Sequence, residues 1–220
     1  MKYDPTKHHR RSIRLKGYDY HNAGAYFVTI CTKKRECVLD DPIVNGIINA
    51  VWQALSSWFP TIELDEFVAM PNHVHFILWI IDRTVEMPPV GAHDTGKSDG
   101  GKPDGSKSHP YQIPKPTKIN FAPALGDVVG AFKSLVFKVY LDWIETNDPT
   151  RGAKFWQENY YEHIIRNNIE LNAIRQYIID NPTNWNKDRD NLENQRGLPP
   201  PQKVEDYLED INQSILQVNA

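Results

Sequence analysis

The stretch Met70-Pro71-Asn72-His73-Val74-His75-Phe76-Ile77-Leu78-Trp79-Ile80 constrains this chain more than any other. Glu63 to Met70 and His73 to Ile81 read as two strands, and Pro71-Asn72 between them is a turn signal, so the spacing predicts an antiparallel hairpin. Strand side chains alternate with period two. His73 and His75 therefore leave one face together while Val74 packs behind. Two imidazoles side by side can hold one divalent metal. Two histidines can equally line the end of a buried strand, satisfied by backbone hydrogen bonds.

The rest of the chain supplies partners for that hairpin. Ala25 to Thr32 is aromatic and β-branched and reads as a first strand that Lys33-Lys34-Arg35 ends in solvent. Pro42 to Phe59 carries Val44, Ile47, Ile48, Val51, Trp52, Leu55 and Trp58 at helical spacing, with Pro42 suited to a helix start. Leu125 to Ile144 is a second helix with a buried stripe of Val128, Val129, Phe132, Leu135, Val136, Val139, Tyr140 and Trp143. Lys133, Ser134 and Lys138 fall off that stripe, where they could meet nucleic-acid phosphates or simply be solvated. Tyr160 to Arg166 reads as a fourth strand. The order strand, helix, strand, strand, helix, strand gives a ferredoxin-like α+β sandwich (βαββαβ), an antiparallel sheet with helices on one face.

Residues 86–119 are rich in Gly, Pro, Lys, Asp and Ser and form a predicted mobile insert. Within it, Gly91-Ala92-His93-Asp94-Thr95-Gly96-Lys97-Ser98 matches the letters of a phosphate-binding loop. Such a loop works between a buried strand and a helix. Met87-Pro88-Pro89-Val90 cannot be a central strand and Asp99-Gly100-Gly101-Lys102-Pro103 cannot open a stable helix, so the match is read as chance. Residues 186–220 form a C-terminal extension with a helix expected over Val204 to Leu216.

Charge and composition exclude several classes. The chain has 220 residues, 40% of them hydrophobic, enough for one well-buried core. A net charge of −3 argues against indiscriminate duplex binding. Positive charge is concentrated in one arm, where Lys7, Arg10, Arg11, Arg14 and Lys16 occur without an acid. Cys31 and Cys37 are too few for a disulfide framework and lack metal-finger spacing. No run is long enough to span a membrane, and the polar, basic start lacks a signal-peptide core. A cytoplasmic protein without a membrane partner is the expectation.

Asn172 to Pro182 adds the remaining chemistry. It is a helical pattern in which Tyr177 and Asn181, four apart, share a face, one offering a hydroxyl and the other an amide oxygen. Joined to the His-x-His strand, this pattern resembles the active site of the single-tyrosine HUH transposases, specifically the REP-associated tyrosine transposases related to insertion-sequence transposases. Ser12 to Tyr20 followed by Gly24 to Thr32 resembles that family's amino-terminal entry, and Phe155-Trp156-Gln157 with Tyr160 to Arg166 resembles its strand before the tyrosine helix. The likeness runs from about Arg11 to Trp185 and implies a transposase domain over residues 1–185.

The resemblance implies Mg²⁺ or Mn²⁺ on His73, His75 and Asn181, with Tyr177 attacking a scissile phosphate to give a 5′-phosphotyrosine and a free 3′-hydroxyl. It implies single-stranded or hairpin DNA of the REP type as partner, gripped by Arg10, Arg11, Arg14 and Lys16, with Lys133, Ser134 and Lys138 as further contacts. Relatives act as monomers or as homodimers that share their sites. Tyr160 and Tyr161 are rival nucleophiles, although paired aromatics on a strand more often pack a core. The alternative function is a hairpin-specific nucleic-acid-binding protein with little catalysis. A zinc hydrolase on His73 and His75 comes third, because no Asp or Glu sits beside the pair as an obvious base.

Overall fold

Two strands of this protein are buried along both faces, as befits the central pair of a sheet covered on both sides. The computed structural model describes residues 15, 17–81, 111–114, 123–152, 156–188, 190–191 and 193–194. Its elements are β1 (Gly24–Cys31), α1 (Pro42–Trp58), β2 (Ile62–Met70), β3 (His73–Ile80), α2 (Leu125–Asn147), β4 (Tyr161–Ile165) and α3 (Asn168–Asp180). The sheet order is β2-β3-β1-β4 with every pair antiparallel, the arrangement expected of a ferredoxin-like sandwich. Each element lies within a few residues of its sequence-based bounds. The predicted insert lies mostly outside the described residues, and the phosphate-loop match and the C-terminal helix lie wholly outside them.

Alternation divides the two faces. Even-numbered residues Tyr26, Val28 and Ile30 of β1 and Val74, Phe76, Leu78 and Ile80 of β3 join the large core formed with α1 and α2. Odd-numbered Ala25, Phe27 and Ile77 meet α3 on the opposite face through Leu171, Ile174 and Ile178. His73 and His75 share the parity of Ile77, and therefore its face.

Local hydrogen bonds start α1 and α3, and α1 begins where Pro42 indicates. The Asp41 side chain accepts from Ile43 N–H at 2.8 Å, and Pro42 occupies the first turn of α1. Asn167 caps α3 by accepting from Glu170 N–H at 2.9 Å, while Glu170 accepts from Arg166 N–H at 2.7 Å. His163 on β4 also contacts that carboxylate at 2.7 Å, so the start of α3 is tied to the sheet edge. Past Trp185 the chain continues to pack, since Asp190 and Asn191 are buried.

Candidate active site

The hairpin turn delivers both histidines to the interior. His73 and His75 are wholly buried, with ring centroids 4.4 Å apart. Asn72, also wholly buried, donates its amide N–H groups to the carbonyls of Arg35 (3.2 Å) and Asp190 (2.7 Å). Its Oδ1 is thereby left to accept, and the atom it meets is His73 Nδ1 at 2.8 Å. That bond places the ring proton of His73 on Nδ1 and the lone pair on Nε2. His73 Nε2 is buried and makes no hydrogen bond among the described residues. His75 Nδ1 is hydrogen-bonded to Thr29 Oγ1 at 2.8 Å across the β1–β3 pair.

Two acids that the sequence reading missed stand beside this pair. Asp188 Oδ2 lies 3.8 Å from His73 Nε2, and Asp190 Oδ2 lies 3.9 Å from His73 Nδ1. Each of the three residues offers one ligand atom, and these atoms lie within 4.8 Å of one another. The expectation that no acid adjoins the histidines therefore fails in three dimensions. The chain segment after α3 folds back over the hairpin turn, which sequence adjacency cannot reveal. Asp190 is neutralised by a buried ion pair with Arg35. Arg35 and Lys34 have φ of 55° and 56°, left-handed values that cost a residue with a Cβ about 1 kcal/mol or more. The Arg35–Asp190 pair and the Asn72 bond to the Arg35 carbonyl hold that geometry.

Both imidazoles are held neutral. Burial, followed by repulsion from His75 and Arg35, pushes the His73 pKa well below its ordinary value. Burial and Arg35 bring His75 down to about 3. Neutral imidazoles, with a carboxylate close by, form a donor set suited to a divalent cation.

Tyr177 reaches this pair from α3. It is half-buried, its ring centroid 5.4 Å from that of His75 and 6.3 Å, edge-on, from Phe27. Asn181 caps α3 and is 4% exposed. The chain on both sides of it touches the histidines, through Tyr177 on His75 and through Trp185, whose ring is 6.3 Å from His73. Tyr161 shares the α3 side but pairs with Thr29, which pairs in turn with His75. That is two strand spacings, roughly 10 Å from His75. Tyr160 packs against the opposite core.

Of the expected nucleic-acid contacts, Arg10, Arg11, Arg14 and Lys16 lie outside the described residues. Lys133 requires a correction. Its ammonium donates to the carbonyls of Gln157 (2.6 Å) and Glu158 (3.0 Å), so it braces α2 against the approach to β4 rather than standing displayed to a phosphate. Burial pushes its pKa down. Ser134 is exposed, and Lys138 pairs with Asp142 one turn on at 3.1 Å.

An uncharacterized protein of Haemophilus influenzae strain Rd is 35% identical over 196 residues, spanning 86% of this chain and 96% of that protein. The chain belongs to that protein's family. No family model matches. Among solved structures, a REP-associated tyrosine transposase bound to a REP hairpin aligns over 78% of this chain and 73% of its own, with a TM-score of 0.45 and 16% identity. A candidate transposase from Deinococcus radiodurans aligns over 76% of this chain and 95% of its own, with a TM-score of 0.39 and 18% identity. No helix among the described residues is long and apolar enough to cross a membrane.

Proposed function

We propose that this protein is a metal-assisted DNA strand nickase and transferase of the single-tyrosine HUH type, acting on single-stranded or hairpin DNA. The observation that carries the reading is the placement of one tyrosine, Tyr177, in ring contact with one of two adjacent neutral histidines. A phenol is a weak nucleophile at neutral pH and needs charge neutralised on its target.

The donor set fits Mg²⁺ or Mn²⁺. His73 Nε2 is a buried lone pair without a hydrogen bond among the described residues, with the Asp188 carboxylate 3.8 Å away, and His75 and Asn181, both buried, are assigned as the further nitrogen and oxygen donors. Asp188 supplies the anionic oxygen that hard cations favour, which the three-ligand reading from sequence lacked. When bound, the ion supplies Lewis acidity at the scissile phosphate. Asn72 and Thr29 hold the two rings through their Nδ1 atoms, as outer partners of metal-binding histidines do.

The Tyr177 oxygen then forms a bond to phosphorus as the bond from phosphorus to the 3′-oxygen breaks. The phenolic proton is lost to solvent, and the departing oxygen takes up a proton to become a 3′-hydroxyl. The phosphoester count is unchanged, so reversal onto a second strand end requires no ATP. Arg10, Arg11, Arg14 and Lys16 are assigned to phosphate contacts, with Ser134 and Lys138 secondary. A cytoplasmic location accords with a DNA substrate, and a homodimer is not required by a site built from one chain.

The test uses a REP-type hairpin oligonucleotide labelled at either end and incubated with protein and Mn²⁺. The 3′-end label should become covalently attached to protein and the 5′-end label should be released, both steps being lost in chelator and in His73→Ala. Tight hairpin binding with no covalent product under any divalent metal would favour the binding-protein alternative.

A further inference from the structure

Arg175, two residues before Tyr177, joins the tyrosine helix to the far edge of the sheet. Its Nε donates to Asp65 Oδ1 at 2.8 Å and its Nη2 to Asp65 Oδ2 at 2.5 Å, a two-pronged pair that fixes direction as well as distance. Trp79 Nε1 on β3 donates to the same Oδ2 at 2.8 Å, and Glu66 N–H donates to Oδ1 at 2.9 Å. Asp65 sits where the β2–β3 register shifts between Leu64 and Phe67, a bulge that re-aims one side chain. The carboxylate is thus held by two donors of the sheet before it meets the helix.

At its first turn α3 is tied to β4 by the His163–Glu170 contact, and along its length it rests on a stripe of Leu171, Ile174 and Ile178 against Ala25, Phe27 and Ile77. Apolar contacts are non-directional and tolerate a small roll or slide of a short helix. A bidentate guanidinium does not. Arg175 and Tyr177 are about 3 Å apart along the axis and about 200° apart around it, so a roll at one is a swing at the other.

We propose that Asp65 and Arg175, with Trp79 behind them, form a positioning clasp that sets the rotation of α3 and so aims Tyr177 at the His73–His75 pair. This role rests on the nucleophilic reading of Tyr177. Neither residue touches the reacting atoms. A misplacement of about 1 Å costs on the order of 100-fold in rate, so the clasp acts on the chemical step and not on binding.

The experiment compares wild type, Asp65→Asn, Arg175→Lys and the exchanged pair Asp65→Arg/Arg175→Asp with the REP-type hairpin and Mn²⁺. Single-turnover adduct formation, hairpin affinity, Mn²⁺ affinity and thermal midpoint are read for each. The single variants should lose roughly 10- to 100-fold in adduct rate, with hairpin and Mn²⁺ affinities within about twofold of wild type. The exchanged pair should recover part of the rate. Single variants that react at the wild-type rate would overturn the clasp, as would losses that track the thermal midpoint without rescue. A wild-type chain that forms no adduct at all would instead remove the nucleophile reading and this role with it.

Discussion

The two faces of this sheet are built on opposite terms. Toward α1 and α2, twenty-five buried apolar side chains form one continuous core among the described residues. Toward α3 the buried apolar cluster has six members, and the adjoining space holds His73, His75, Thr29, Asn72 and Asp190, all buried. Apolar burial stabilises at about 25 cal/mol per Å², whereas a buried polar group roughly breaks even once bonded. The first face therefore carries most of the folding free energy. The second gives its area to buried polar groups and is held in part by directional contacts.

The sharpest test of that contrast is truncation on each face. Phe132, wholly buried and in ring contact with Trp52, Phe76 and Trp156, should cost about 3–5 kcal/mol as Phe132→Ala. Ile174→Ala, equally buried but in the smaller cluster, should fall near the lower end of its range, about 2 kcal/mol. Urea midpoints measure both. Equal losses would mean the faces are not energetically distinct.

Asn72→Ala comes next. It strips the donor from two carbonyls and the acceptor from His73 Nδ1, for about 1–3 kcal/mol of stability. Because it also frees the His73 ring to turn, Mn²⁺ affinity should fall tenfold or more. Titration calorimetry showing unchanged affinity would reduce Asn72 to a turn residue.

The smallest effect is electrostatic. Burial raises the Asp65 pKa, but hydrogen bonds from Arg175 and Trp79 more than offset it and bring the carboxyl below its ordinary value. A depressed folded pKa contributes stability that is complete above the unfolded value, about 3.9, and is lost as pH falls through the folded one. The stability gap between wild type and Asp65→Asn should thus be flat from pH 7 to about 4 and close below it. A gap that widens on acidification would contradict the assigned sign.

Much of this was legible in the sequence because it is periodic. Period-two alternation in β1 and β3 set which residues enter which face, and the stripes of α1 and α2 read directly. Pro42 marked the start of α1. His73 and His75 stand out because they alternate within one strand, and Tyr177 and Asn181 because they lie one helical turn apart at the end of α3. Arg35, Asp188 and Asp190 could not. They lie in irregular segments without period, joined to the hairpin turn by contacts such as Asn72 to Asp190, 118 residues apart. Asp65 and Arg175 are 110 residues apart, and a lone Asp in a strand gives no sign of a bulge. Lys133 misled because an off-stripe lysine looks solvated, whereas its ammonium reaches carbonyls near β4.

The most direct measurement is the identity of the residue that becomes bonded to DNA. Wild-type protein is reacted with the hairpin and Mn²⁺, digested with nuclease and protease, and the nucleotidyl-peptide located by mass spectrometry, with Tyr177→Phe in parallel. The phenol-to-phenyl change should leave folding and hairpin binding near wild type, the adduct should map to Tyr177, and the variant should form none. An adduct that persists in Tyr177→Phe and maps to Tyr160 or Tyr161 would contradict the assignment of Tyr177 as the nucleophile.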